Sequence, residues 1–212
     1  MKAVIFDMDG VLVDSEPVYM NYFYEPFVRH NQDVLFRSIY AVIGTTMEDT
    51  WRILGEAWQP LKSLEEIQEF YTHNVDEAFV DYDDLKMPHI KHLMQQLQKN
   101  NIKMGVASAS PKETIKRVLS ECQLESYISF YVSGEEVKAS KPAPDVYLEA
   151  MRALEVKPEN TIVIEDSTLG IKAGKSAGAT VIAMKDNRFG MDQSKADHFV
   201  NDHMESFHTI MK

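Results

Sequence analysis

Residues 3–17 read AVIFDMDGVLVDSEP, and the break inside this stretch decides the fold. Ala3, Val4, Ile5 and Phe6 form an unbroken apolar run, the mark of a short buried strand. The run stops at Asp7, passes one residue to Asp9, and turns at Gly10. Two carboxylates at the exit of a first strand raise each other's pKa unless a cation or a shared proton intervenes. The pair points to a bound metal, or to one acid and one base side by side.

Downstream of residue 84 the pattern becomes regular. Ile90, Leu93, Met94 and Leu97 share one face of an amphipathic helix. IKMGVAS (102–108) reads as a strand, and Ile115, Val118, Leu119 and Cys122 repeat the helical stripe. FYVSG (130–134) is a short strand, followed by a helix carrying Tyr147, Ala150, Met151 and Leu154. TIVIED (161–166) is a strand of strong β-branched character. A helix thinned by Gly170, Gly174 and Gly178 follows, suited to close packing on the sheet. TVIAM (180–184) and HFV (198–200) complete the strands. Alternating strands and helices mean an α/β fold with a mostly parallel sheet.

Residues 16–83 break that rhythm. They contain helical stretches over about 17–30, 47–57 and 64–80, and no convincing strand. They hold 13 acidic and 4 basic side chains, a net −9 of the total −11, together with both tryptophans, Trp51 and Trp58. The segment reads as a helical domain inserted into a core of residues 1–15 and 84–212. Its aromatics are expected to build its own core, and its acidity to form a solvated surface.

The chain has 212 residues, 44% of them hydrophobic and 26% charged, an ordinary globular mixture. Cys122 is the single cysteine, so no intramolecular disulfide forms, which fits a reducing compartment. The first strand begins at residue 3, so no signal peptide is expected, and no apolar run reaches membrane-spanning length. A cytoplasmic location is expected. The acidic balance argues against nucleic-acid or anionic-membrane partners. No coiled-coil pattern demands an oligomer, and a monomer is expected.

In a parallel α/β sheet, ligands collect beyond the carboxyl ends of the strands. Four exits here carry chemistry: Asp7 and Asp9, then Ser108 to Ser110, then Lys141 in SKPAPD, then Glu165 and Asp166. Gathered carboxylates suit a hard divalent cation such as Mg2+, which takes oxygen ligands and shares a substrate's phosphate. Ser108 opens a helix, where a hydroxyl and N–H groups hold phosphate oxygens. Lys141 offsets negative charge. An aspartate can attack phosphorus, and a second carboxyl can move the proton.

The combination DMDGVLVD, VASAS, SKPAPD and IEDS resembles the haloacid dehalogenase-like superfamily, in its β-phosphoglucomutase-like subgroup of phosphatases with a helical cap. The four motifs follow the family order. The resemblance implies a Rossmann-like core with an inserted all-helical cap, and a Mg2+-dependent phosphatase of a small phosphorylated metabolite. It implies Asp7 as nucleophile and Asp9 as general acid/base. It implies Mg2+ held by Asp7, the Asp9 main-chain carbonyl and Asp166, with Glu165 as a direct or water-mediated ligand. Ser108 and the Ala109 N–H would bind phosphate, and Lys141 would fix the phosphoryl group and the nucleophile.

Two positions depart from the mutases of that subgroup. Tyr19 stands where they carry a histidine, and Met47 where they carry an arginine for a second phosphate. A thioether supplies no charge there, so hydrolysis is favoured over the alternative, a sugar phosphomutase. Arg52, about one helical turn further on, is an alternative source of that charge. A non-catalytic binding protein is disfavoured because the catalytic carboxylates are all present. Glu16, Tyr19, Tyr22 and Met47 are the substrate-facing candidates of the cap. Glu16 and Ser15 read first as an ordinary helix cap, and Ser110 as a helix start. Asp14 is expected to support its loop. His89 and His92 are expected at the surface.

Overall fold

Apolar residues on both faces of each central strand require a sheet covered on both sides. The structure, a computed structural model, describes residues 2–74 and 80–212. Six strands form one sheet: β1 (Ala3–Phe6), β2 (Lys103–Ser108), β3 (Phe130–Ser133), β4 (Thr161–Glu165), β5 (Thr180–Met184) and β6 (His198–Val200). Their order is β3-β2-β1-β4-β5-β6, and every neighbouring pair is parallel. In the register, Ile5 lies between Gly105 and Val163.

The period-two alternation divides β1 between two apolar layers. Val4 and Phe6 enter the layer closed by α4 (Ile90–Lys99), α5 (Lys112–Glu121) and α8 (His203–Ile210). Ala3 and Ile5 enter the layer closed by α6 (Asp145–Ala153) and α7 (Thr168–Ser176). Gly174 of α7 sits where a Cβ would press on Val163 and Val181, so this helix lies close on the sheet, as its glycines suggested. Gly178 belongs to the turn beyond the helix, at φ +82°.

The order reverses between β1 and β4. Strands β2 and β3 build outward on one side, and β4 to β6 on the other. That reversal opens a crevice at the carboxyl ends of β1 and β4. The catalytic candidates leave the sheet there.

Between β1 and β2 the chain forms α1 (Glu16–Arg29), a 3-10 segment (Phe36–Val42), α2 (Met47–Ala57) and α3 (Leu64–Asn74). Pro17 sits in the first turn of α1, and the Thr46 hydroxyl accepts the Asp49 N–H to start α2 at 3.2 Å. Phe27, Ile39, Leu54, Trp58, Ile67 and Tyr71 bury themselves in a third apolar cluster, apart from the two sheet layers. Edge-to-face rings knit it: Phe23 meets Trp51 with centroids 5.9 Å apart at 89°. The inserted cap is therefore helical and has its own core, as the aromatic composition predicted.

Three details differ from the sequence reading. Of the helix expected over 64–80, Leu64–Asn74 falls within the described residues and is helical, and residues 75–79 lie outside them. The 3-10 segment and α8 were not anticipated. Phe189, in the loop after β5, joins the cap cluster and meets Tyr40 edge-on at 5.3 Å. Among the described residues, no helix is long and apolar enough to cross a membrane.

Candidate active site

Strand exits place the acid groups, and the surrounding donors orient them. Asp7 leaves β1 with its N–H bonded to the Ile164 carbonyl of β4 at 2.9 Å. Its Oδ1 accepts from Lys141 Nζ at 2.7 Å. The same ammonium reaches Glu165 Oε1 at 2.6 Å and lies over the Tyr147 ring. All three charged side chains are almost completely buried.

Asp166 completes the cluster. Acidic oxygens of Asp7, Glu165 and Asp166 lie within 4.8 Å of one another. Their hydrogen bonding is unequal. Glu165 Oε1 accepts from Lys141 and from the Tyr147 hydroxyl, the latter at 2.8 Å. Glu165 Oε2 accepts from the Asp166 N–H, the Ser167 N–H and the Ser167 hydroxyl at 2.9–3.0 Å. Asp166 Oδ2, by contrast, is buried without a partner.

Three buried carboxyl groups face one ammonium. Burial, then Glu165, push the Asp7 carboxyl up to about 7 against the pull of Lys141. Burial, then Glu165, Asp7 and Glu16, hold Asp166 well above the ordinary range. Burial opposes the Lys141 charge, but Asp7 and Glu165 prevail and keep the ammonium above its usual value.

The backbone leaves no room for bulk here. Gly10, at φ +70°, turns the chain directly against Asp166, and a Cβ there would overlap that carboxylate. A Cβ on Gly170 would overlap the Glu165 carboxylate. Both glycines are demanded by the packing of backbone on acid.

Asp9 is held differently. Ser15 Oγ donates to its Oδ1, and Ser110 Oγ donates to its Oδ2 at 2.7 Å. Ser15 takes the N-cap position of α1 as read, but neither serine spends its hydroxyl on a helix start. Ser15 makes no side-chain cap bond to α1, and Pro111 occupies the cap position of α5. The Ser108 hydroxyl accepts the Ser110 N–H at 3.0 Å, which leaves its proton free to donate toward the crevice. Ser108 itself is buried at the end of β2.

A cavity of about 300 Å³ lies between these strand exits and the helical cap. Asp7, Asp9, Ser108, Ala109, Lys141 and Asp166 line its floor, and Glu165 lies beneath it, fully buried. Tyr19, Tyr22 and Met47 contribute from the cap. Glu16, the first residue of α1, is buried and lines the cavity, where it stands as one of the substrate-facing candidates. Burial, then Asp9 and Asp7, raise its carboxyl well above the ordinary value. Arg52 does not reach the cavity. It is exposed and pairs with Asp49 at 2.9 Å and Glu56 at 3.3 Å.

Other sequence readings have definite places. Asp14 takes a two-pronged bond from Arg188 at 2.7 and 2.9 Å, supporting its loop as expected. His89 and His92 are exposed, and Cys122 is buried in the core. Two site neighbours escaped the sequence reading. Tyr147 appeared there only as part of an apolar stripe, though a buried phenol needs a partner, and that was the available signal. Tyr82, on the second connection to the cap, bonds hydroxyl to hydroxyl with Tyr19 at 2.6 Å. Nothing local in the sequence pairs them.

Comparison with known proteins places the chain in a family. The chain is 34% identical over 182 residues to a phosphorylated carbohydrates phosphatase of Thermotoga maritima, covering 84% of this chain and 82% of that protein. It is 27% identical over 179 residues to hexitol phosphatase B of Escherichia coli K12, covering 82% and 79%. Among solved structures it superposes on β-phosphoglucomutase of Clostridium difficile with a TM-score of 0.75 and 25% identity, covering 100% of this chain and 99% of that one. A family model described as haloacid dehalogenase-like hydrolase matches residues 4–184, from the first strand to the fifth, and the chain belongs to that family.

Proposed function

We propose that the chain is a Mg2+-dependent phosphatase that hydrolyses a small phosphorylated metabolite through a phosphoryl group carried on Asp7. The observation that carries this reading is the Lys141–Asp7 contact beside the unpartnered Asp166 oxygen. A carboxylate braced by an ammonium at one oxygen keeps the other for attack. Three acids against one lysine leave a deficit of positive charge, and an all-oxygen donor set suits Mg2+. Asp7, the Asp9 main-chain carbonyl and Asp166 would hold the ion. Glu165, with both oxygens already engaged by protein donors, acts through Lys141 and the Asp166 loop. A bound Mg2+ supplies charge neutralisation to the phosphoryl oxygens.

The remaining work falls to side chains. Ser108 and the Ala109 N–H hold phosphate oxygens, and Lys141 fixes both the phosphoryl group and Asp7. The Asp7 carboxylate attacks phosphorus, an O–P bond forms, and the bond to the leaving alcohol breaks. Asp9, oriented by Ser15 and Ser110, gives the alcohol its proton. Asp9 then takes a proton from water, whose oxygen attacks phosphorus and releases phosphate and free Asp7. We place the core in residues 1–15 and 84–212 and the cap in 16–83. The connections at Ser15–Pro17 and Val80–Asp84 form the hinge, and closure excludes water during transfer of the phosphoryl group to Asp7. Sequence likeness to the carbohydrate and hexitol phosphatases supports this reading.

Release of p-nitrophenol from p-nitrophenyl phosphate, with and without Mg2+, tests it. Asp7→Asn is expected to abolish turnover. Turnover at the wild-type rate overturns the assignment of Asp7.

A further inference from the structure

The floor of the cavity is set with acids and a lysine, whereas its roof is mostly rings and a thioether. From the cap, Tyr22, Phe23 and Trp51 turn toward the cavity beside the Met47 thioether. Their rings brace one another: Tyr22 meets Phe23 at 5.3 Å, and Trp51 packs against Tyr71 at 5.2 Å. Among the described residues that line the cavity, Lys141 is the single Lys or Arg, and both Asp7 and Glu165 already claim it. The cap cation nearest in sequence to Met47, Arg52, is exposed and held by Asp49 and Glu56. Glu16 is the cap's own ionisable wall group, and in either protonation state it supplies no positive charge.

From this division we infer that the substrate is a monophosphate ester whose alcohol portion carries no second anion and lays an apolar face on the Tyr22–Phe23–Trp51 wall. The inference rests on the phosphatase reading above and narrows it. A second phosphate or a carboxylate carried into the roof would lose its hydration and meet no cation. An uncharged face, whether an aromatic ring or the C–H face of a sugar or polyol, gains apolar burial and ring contact instead. Discrimination thus comes as much from what the roof withholds as from what it offers.

The test compares kcat/KM with Mg2+ for three substrates: p-nitrophenyl phosphate, fructose 6-phosphate and fructose 1,6-bisphosphate. Either monophosphate is expected to exceed the bisphosphate by roughly tenfold or more. The aryl and sugar arms decide which apolar face the wall favours. Met47→Arg puts a cation in the roof and is expected to narrow that ratio, through a lower KM for the bisphosphate. Trp51→Ala is expected to raise KM for the preferred monophosphate. A wild-type enzyme that turns over the bisphosphate as well as the monophosphates overturns this inference and leaves the phosphatase reading standing. An enzyme that turns over none of the three overturns both.

Discussion

The core and the cap are held together by different physics. In the core, the site is a set of polar groups delivered by strand ends and locked by ionic and hydrogen bonds: Lys141 joins Asp7 to Glu165, and Ser15 and Ser110 grip Asp9. In the cap, the corresponding surface is a stack of rings with little directional bonding, built from Phe23, Trp51, Tyr71 and their neighbours. Ionic groups need placement to a fraction of an ångström, and a parallel sheet provides it. Aromatic walls tolerate repacking, because burial is not directional. On the proposed reading, chemistry sits where geometry is rigid, and selection where the side chains are free to change.

That contrast can be broken hardest at Lys141. Lys141→Met is expected to lower kcat/KM by roughly 10³-fold, the scale of removing a transition-state donor from a buried site. It also strands buried carboxyl groups, at a cost of about 3–5 kcal/mol of stability. Urea unfolding in the absence of Mg2+ measures the second effect. A Lys141→Met enzyme with unchanged stability would mean that the acids are not ionised together.

Phe27→Ala strikes the cap instead. Phe27 is fully buried among Tyr24 and Trp58, and its truncation should cost about 3–5 kcal/mol. Hydrogen exchange should then show protection lost in α1 and α2 and retained in β1 and β4. Equal loss in both regions would show that cap and core unfold as one unit.

Acid sharpens the contrast from the core side. His203 of α8 is buried, bonds Val11 just after the acid pair at 2.7 Å through Nε2, and has its Nδ1 unpartnered. Burial, with a small contribution from His89, lowers its pKa to about 4, against the pull of the Val11 carbonyl and Asp202. The unfolded chain takes up this proton near its ordinary 6.5, so it binds more protons than the native state between 6.5 and 4. The contribution is intact above pH 6.5 and is lost as pH falls toward 4, about 3 kcal/mol in all. His203→Gln should flatten urea-unfolding stability across that window. A slope unchanged by the substitution would rule His203 out as its source.

The smallest effect lies on the seam. Tyr19→Phe removes the hydroxyl contact to Tyr82 that links the two connections between core and cap. A loss of about 1 kcal/mol in urea unfolding is expected. A neutral result would mean that this contact does not hold the regions together.

How far the sequence could be read followed the same division. Asp7, Asp9, Ser108 and Asp166 could be placed at the cavity because they lie at the ends of apolar runs, and Lys141 because its SKPAPD loop follows β3; a parallel sheet sends all such exits to one edge. The bonds of Ser15 and Ser110 to Asp9 were missed, since a serine near a helix start has a local duty that its neighbours suggest, whereas its bond to Asp9 spans 101 residues in the case of Ser110. Phe189 was invisible as a cap residue because it lies in the sequence of the core. Arg52 was offered as a substitute cation on helical spacing alone, and its carboxylate neighbours on the same helix turned it outward.

By itself, the sequence of AVIFDMDG and the later strand exits determined an α/β core, a helical insertion and the edge where acids and lysine meet. Period and polarity are local properties, and they survive without knowledge of the fold. Only the tertiary structure decided which oxygens are already spent, which serines hold Asp9, and that the roof of the cavity is aromatic and, among the described residues, without a lysine or arginine. Those are facts about groups far apart in the chain, and their energies exist only once burial has removed water and brought them within hydrogen-bonding reach.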